Sequence, residues 1–142
     1  MRGERRWVTE GQQNLETVIF DYLGALREGD QEAVRAVLDP NVSWQGLRQE
    51  WVCHGPDEVI ETLMEGLRLR RDVLALEFVR AGSRLVMGVR GPSFDEVGGE
   101  PLGGQIFNVF TLSNGRIVSI EDYRLREEAL NAAQADEDSG WR

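Results

Sequence analysis

In "NLETVIFDYLGALREGD", apolar residues recur three and four positions apart, at Leu15, Val18, Ile19, Tyr22, Leu23 and Leu26. That spacing predicts an amphipathic helix, with Gly29 as its stop and Asp30 capping the next one. The second helix, "QEAVRAVL", is expected to end at the Asp39-Pro40 step, because the residue before a proline disfavours helix. "NVSWQG" and "QEWVCHG" read as a pair of short strands. "PDEVIETLMEGLRL" is a third helix, with Pro56 in its first turn and Val59, Ile60, Leu63, Met64 and Leu67 facing inward. Beyond it the pattern changes. "VLALEFVRA", "SRLVMGVRG", "GQIFNVFTL" and "GRIVSIEDY" carry the β-branched and aromatic bias of strands. They are expected to turn at Ala81-Gly82 and at Ser113-Asn114-Gly115, around a long mobile connection, "GPSFDEVGGEPLGG". "REEALNAAQ" can form one or two final helical turns.

Helices followed by strands imply an α+β domain: a curved antiparallel sheet with the three helices of the N-terminal half on its concave face. One strand is apolar on both sides, Ile106, Phe110 and Leu112 on one and Phe107 and Val109 on the other, so both faces need cover. Three helices cover one face. The tail could fold back over the other, but a polar tail does so poorly, and a homodimer through the outer face, burying Phe107, Val109 and Tyr123, is therefore expected. Residues 14–132 form the expected domain, between a flexible lead at 1–13 and a flexible acidic tail at 133–142.

Composition narrows the function classes. The 142 residues suit one domain, and a net charge of −9 argues against nucleic acid and anionic membranes as partners. No apolar run approaches the ~20 residues of a membrane span, and "MRGERRWVTEGQQ" lacks a signal peptide's apolar core. The single Cys53 fits a reducing, cytoplasmic setting. One His, one Cys and scattered carboxylates disfavour a metal site, and neither a phosphate loop nor a dinucleotide fingerprint occurs, so no cofactor is expected.

The candidate chemistry starts from Asp122. Val118, Ile120 and Asp122 lie two apart, so a regular strand places a carboxylate in an apolar row, where it must sit at a wet end, pair, or line a pocket. Which residues join it depends on the hairpin. A two-residue Asn-Gly turn places Phe107 and Val109 on its face; a three-residue loop places Asn108 there, with Ile106, Phe110 and Ile120. The three-residue form is expected, with Arg90 reaching Asp122 from a neighbouring strand. His54, the only histidine, is a general base near neutral pH or the anchor of a turn.

Together, "YLGALREGDQEAVRAVLDPNVSW", the "HG" before the third helix and "FNVFTLSNGRIVSIEDY" resemble the nuclear transport factor 2-like superfamily, in its SnoaL-like group with ketosteroid isomerase and limonene epoxide hydrolase. The resemblance runs from about Asn14 to Leu130. It implies a cone with a deep pocket between the concave face and the helices. From ketosteroid isomerase it implies Tyr22 as a hydrogen-bond donor and Asn108 as a second; Trp44 stands where that enzyme has its base, and is expected to wall the pocket. From the epoxide hydrolase it implies Asp122 as a catalytic carboxylate, with Arg90 in place of the second aspartate and Gly88 in place of the arginine. The SnoaL cyclase aspartate falls nearest Arg124.

These expectations describe a cofactor-free enzyme doing isomerase-, cyclase- or hydrolase-type acid–base chemistry on a small, apolar, carbonyl-bearing molecule. Asp122, Arg90 and His54 are its candidate catalytic residues; Tyr22, Trp44, Asn108, Ile106, Phe110 and Ile120 are its candidate ligand contacts. The alternative is a non-catalytic dimeric ligand-binding protein of the same fold.

Overall fold

The periodic segment at the start of the chain becomes one long helix, α1, in a computed structural model that describes residues 10–69 and 73–135. Parts of the expected lead and tail, 1–9 and 136–142, lie outside the described residues. Helix α1 joins an α segment, Glu10–Glu16, to a wider π segment, Thr17–Leu23, and a last α segment, Gly24–Glu28. It begins ahead of the expected domain start at Asn14. In the π segment Val18 and Tyr22 turn inward. Gly29 ends α1 in the left-handed conformation, at φ 70°, and the Asp30 carboxylate accepts the Ala33 N–H to cap α2, Gln31–Val37. Strand β1, Leu38–Gln45, then runs straight through Pro40. After β2, Val52–His54, comes α3, Gly55–Leu69.

Strands β3, Ala75–Ala81, and β4, Arg84–Arg90, form one hairpin; β7, Gln105–Ser113, and β8, Arg116–Tyr123, form another. The connection between the two hairpins is not the featureless loop expected from its glycines. It holds a 3₁₀ turn, Pro92–Phe94, and a miniature hairpin of β5, Glu96–Val97, and β6, Glu100–Pro101. The main sheet has the order β2-β1-β8-β7-β4-β3 and is antiparallel except where β1 lies parallel to β8.

The β7–β8 hairpin differs from expectation in an instructive way. Ser113 pairs with Arg116 across a two-residue turn, with Asn114 at φ 54° and Gly115 at φ 75°, as a type I′ turn requires. The one-residue offset expected from a longer loop lies instead within β8. Leu112 pairs with Ile117, but Thr111 pairs with Ser119, which leaves Val118 as the extra residue of a bulge. Ile117, not Val118, therefore shares the concave core with Ile120. Beyond the bulge Asn108 pairs with Asp122.

Helices α1, α2 and α3 pack Val18, Tyr22, Leu26, Val34, Val59 and Ile60 onto the concave face, against Met87, Ile106, Phe110, Ile117 and Ile120. The outer face has a cover of its own, which corrects the argument for a second copy. Helix α4, Arg126–Ala133, lays Ala129, Leu130 and Ala133 over Val79, Val86, Phe107 and Val109. Phe107 and Val109 are 1% and 0% exposed within the single chain. Small alanines make the helix's apolar stripe inconspicuous among polar residues, yet let it sit close to the sheet. Arg126 anchors its start by a two-pronged bond to Glu77, Nε to Oε1 at 3.0 Å and Nη2 to Oε2 at 3.1 Å. Glu77 is 4% exposed, and this guanidinium offsets part of the cost of burying its charge.

Candidate functional site

Four side chains meet at the concave face, delivered by four elements. Asp122 stands near the end of β8, opposite Asn108 of β7. Trp44 comes from β1, beside Ile120 in the parallel pairing with β8. Tyr22 comes from the π segment of α1, its ring edge-on to Phe110 with centroids 5.4 Å apart. The Trp44 indole Nε1–H donates to Asp122 Oδ1 at 2.9 Å, and Asn108 Nδ2 donates to the same oxygen at 2.6 Å. Ile106, Phe110 and Ile120 are buried in the core around them, as is Met87, the β4 neighbour of Asn108.

Electrostatics in this cluster are dominated by desolvation. Removal from water raises the Asp122 pKa to about 6 from an ordinary 3.8, against the two donated hydrogen bonds, which favour the carboxylate. The Tyr22 hydroxyl is pushed well above its usual 10, first by burial and then by the negative charge of Asp122. Tyr22 is 3% exposed, and among the described residues its hydroxyl has no hydrogen-bond partner although no fully enclosed side-chain polar atom lacks one. That hydroxyl therefore keeps a little accessible surface. The arrangement can accept a proton near neutral pH at one group and donate a hydrogen bond from the other.

Two expected members stand elsewhere. Arg90 ends β4, where it pairs with Gln105 and is exposed. Strand β7 lies between β4 and β8, and Arg90 is three residues past Met87, on the row opposite that of Val89 and Ile106. The expected Asp122–Arg90 pair is thus corrected: the carboxylate is held by Trp44 and Asn108 instead. His54 is exposed and opposes Ser43, whereas Trp44 opposes Cys53, so His54 lies on the other face of the strand pair. Its backbone N–H donates to Glu58 Oε1 at 2.7 Å, the contact of a turn anchor at the start of α3.

The sequence reading missed the frame beside this strand end. Glu100 of β6 is gripped by Arg48, at 2.7 Å, and by Arg124, at 2.5 Å, which join the β1–β2 loop, the miniature hairpin and the end of β8. The two guanidinium groups hold the Glu100 carboxyl below its ordinary range. Arg48 also stacks on Trp51, and Gly98 lies so close to that indole that a Cβ would stand 2.8 Å from it. The glycines of "EVGGEPLGG" were the available signal. A cleft of about 520 Å³ borders this frame, lined by Gln45, Leu47, Glu121, Asp122, Tyr123 and Glu128 among others. A second cleft of about 520 Å³ lies between α2 and α3, where Arg35 pairs with Asp57. Among the described residues no three His, Cys, Asp or Glu side chains gather as metal ligands would, and no helix is long and apolar enough to cross a membrane.

No family model matches the sequence, and no curated protein matches it. Solved structures do resemble it. An NTF2-like protein of unknown function from Burkholderia pseudomallei K96243 is 25% identical, with 84% of this chain and 95% of that one covered at a TM-score of 0.53. A protein named as a SnoaL-like polyketide cyclase, from Jannaschia sp. CCS1, is 18% identical, covering 85% and 90% at a TM-score of 0.57. TerC, co-crystallised with polyporic acid, is 18% identical, covering 86% and 98% at a TM-score of 0.57. The chain has the NTF2-like fold, with SnoaL-like proteins among its structural neighbours.

Proposed function

We propose that this protein is a cofactor-free acid–base enzyme acting on a small, apolar, carbonyl-bearing molecule held at the concave face. One observation carries the reading: a half-buried carboxyl group bordering a cleft and held at one oxygen by Trp44 and Asn108, with desolvation pushing its pKa up. A carboxylate tuned towards neutrality inside a fold is an acid–base candidate, because both of its protonation states are populated at working pH. In the proposed reaction Asp122 takes a proton from the carbon beside a carbonyl. The C–H electron pair passes into the enolate, and the Tyr22 hydroxyl donates a hydrogen bond to its oxygen. The protonated acid then returns the proton to another carbon, which isomerises the molecule, or the enolate closes on a second carbonyl and the proton goes to the new alkoxide.

The neighbours support this reading at the level of ligand class. One is named as a polyketide cyclase and another was co-crystallised with a small organic molecule. Arg90 and His54 have no part in the proposed chemistry, since neither faces the cluster.

The test needs no knowledge of the natural substrate. Incubating the protein with cyclohexenone in D₂O and following the α-proton signals by NMR should show exchange faster than buffer alone, and Asp122→Asn should abolish the excess. Binding of the ketone without exchange would identify instead a ligand-binding protein that performs no turnover.

A further inference from the structure

Both hydrogen bonds to Asp122 fall on one oxygen. Trp44 Nε1–H and Asn108 Nδ2 reach Oδ1, at 2.9 and 2.6 Å. An indole N–H can donate and never accept, and an amide NH₂ likewise only donates. A proton on Oδ1 would face the indole N–H and break that bond, and would keep Asn108 only if its amide turned over to accept, whereas a proton on Oδ2 leaves both bonds as they are.

We propose that Trp44 is a positioning residue which, with Asn108, keeps Oδ1 a permanent acceptor, so that Asp122 gains and loses its proton at Oδ2 alone. The inference deepens the acid–base reading above by assigning the working atom and the residues that fix it. It also explains why an indole lies here. Trp44 is half-buried and packs against the concave core, so its ring can hold the N–H in one direction by packing. A flexible donor would follow the carboxylate through its rotations. This one does not.

The charged surroundings leave this geometry in control. Helix α1 contributes the titratable Tyr22, whose hydroxyl stays protonated at ordinary pH. Strands β1 and β7 contribute the uncharged Trp44 and Asn108. Along β8, Glu121 and Tyr123 alternate away from Asp122 and bond each other, Arg124 is occupied by Glu100, and Glu128 of α4 lines the same cleft without a bond to Asp122.

Two measurements test the proposal, and neither depends on turnover. The first follows the Trp44 indole proton by NMR through the titration of Asp122, whose carboxyl ¹³C signal is assigned by its loss in Asp122→Asn. The indole proton should remain hydrogen-bonded on both sides of the midpoint, and it should remain so in Asp122→Asn, where the amide oxygen takes the place of Oδ1. Movement of that resonance to the position of a solvent-exposed indole, in either case, would overturn the assignment of Oδ2. The second replaces Trp44 by its benzothienyl isostere, which keeps the ring and deletes only the N–H. The Asp122 midpoint should rise by about one pH unit, because one of two bonds favouring the carboxylate is gone. Trp44→Phe should shift it in the same direction. An unmoved midpoint in a folded isostere variant would show that Trp44 only fills space. Should cyclohexenone show no exchange while both results hold, the enzyme reading fails and the positioning role stands.

Discussion

Asn108 and Asp122 face each other across β7 and β8, with Asn108 Nδ2 2.6 Å from Asp122 Oδ1. The pair places a neutral donor where a charged one was expected, and that choice keeps the carboxyl near neutrality. An arginine in contact would have held Asp122 well below its ordinary value, and an acid that never protonates cannot return a proton.

The first prediction concerns stability and pH. The folded pKa of Asp122 is raised, so the native state binds more protons than the unfolded one between about pH 4 and 6. Stability tied to this group is therefore fully present below its ordinary pKa, falls as pH rises through about 6, and stays low above that. Asp122→Asn keeps an oxygen for both donors and removes the ionisation. At pH 7.5 the variant should be more stable than the parent by about 1–3 kcal/mol, and at pH 3.5 the difference should vanish. Urea melts at the two pH values measure it, and a destabilised variant at pH 7.5 would make the charge itself structural.

The second prediction separates the Tyr22 hydroxyl from its ring. The ring lies in the core against Phe110, while the hydroxyl has no partner among the described residues. Tyr22→Phe should therefore change stability by no more than about 0.5 kcal/mol, whereas Tyr22→Ala should cost about 3–5 kcal/mol. Exchange on cyclohexenone should slow at least tenfold in Tyr22→Phe. An unchanged rate would remove Tyr22 from the proposed chemistry.

The third prediction concerns the outer face. Leu130 is 2% exposed and packs in the cluster with Phe107 and Val109. Leu130→Ala should cost about 2–4 kcal/mol in chemical denaturation. Because α4 covers this face within one chain, the loss should not depend on protein concentration. A concentration-dependent loss, with sedimentation showing a dimer that dissociates, would restore the face to a second copy.

Much of this was legible in the sequence, for reasons that also mark where legibility ends. The helix at Leu15–Leu26 and the four later strands announce themselves because burial of one face imposes a period. Tyr22, Trp44, Asn108 and Asp122 were singled out by the family resemblance, but strand alternation across the actual two-residue turn separates Asn108 from Asp122; the Val118 bulge, which no local pattern announces, brings them together. Arg90 was misplaced because a local pattern does not record which strand lies between two others. The parallel partnership of β1 and β8 is hidden for the same reason. Helix α4 was undervalued because Ala129 and Ala133 bury little surface each, though they admit a close approach that larger residues would block. The grip of Arg48 and Arg124 on Glu100 joins residues 52 and 24 positions apart, a separation over which charge pattern alone selects no partner.

The last prediction returns to the bulge, on which the site's register depends. Asn108 reaches Asp122 although Asn114 and Gly115 form a two-residue turn, because Val118 is an extra residue between Ile117 and Ser119. Deleting Val118 would leave Leu112 opposite Ile117, Thr111 opposite Ser119 and Phe110 opposite Ile120, all as they are now. Every inward side chain would keep its face, since the deletion removes only the residue that has no partner. What would change is the local bend and twist that the bulge gives β8. The deletion should therefore cost a moderate amount of stability, about 1–3 kcal/mol, while the Asp122 carboxyl still titrates near 6. Inserting a residue beside Val118 should do the opposite, because the strand must either widen the bulge or rotate Asp122 to the outer face. In the rotated form Asp122 would titrate in the ordinary carboxylate range. Carboxyl ¹³C titrations of the two variants decide the matter: an ordinary midpoint in the deletion variant would mean that the bulge sets more than the register.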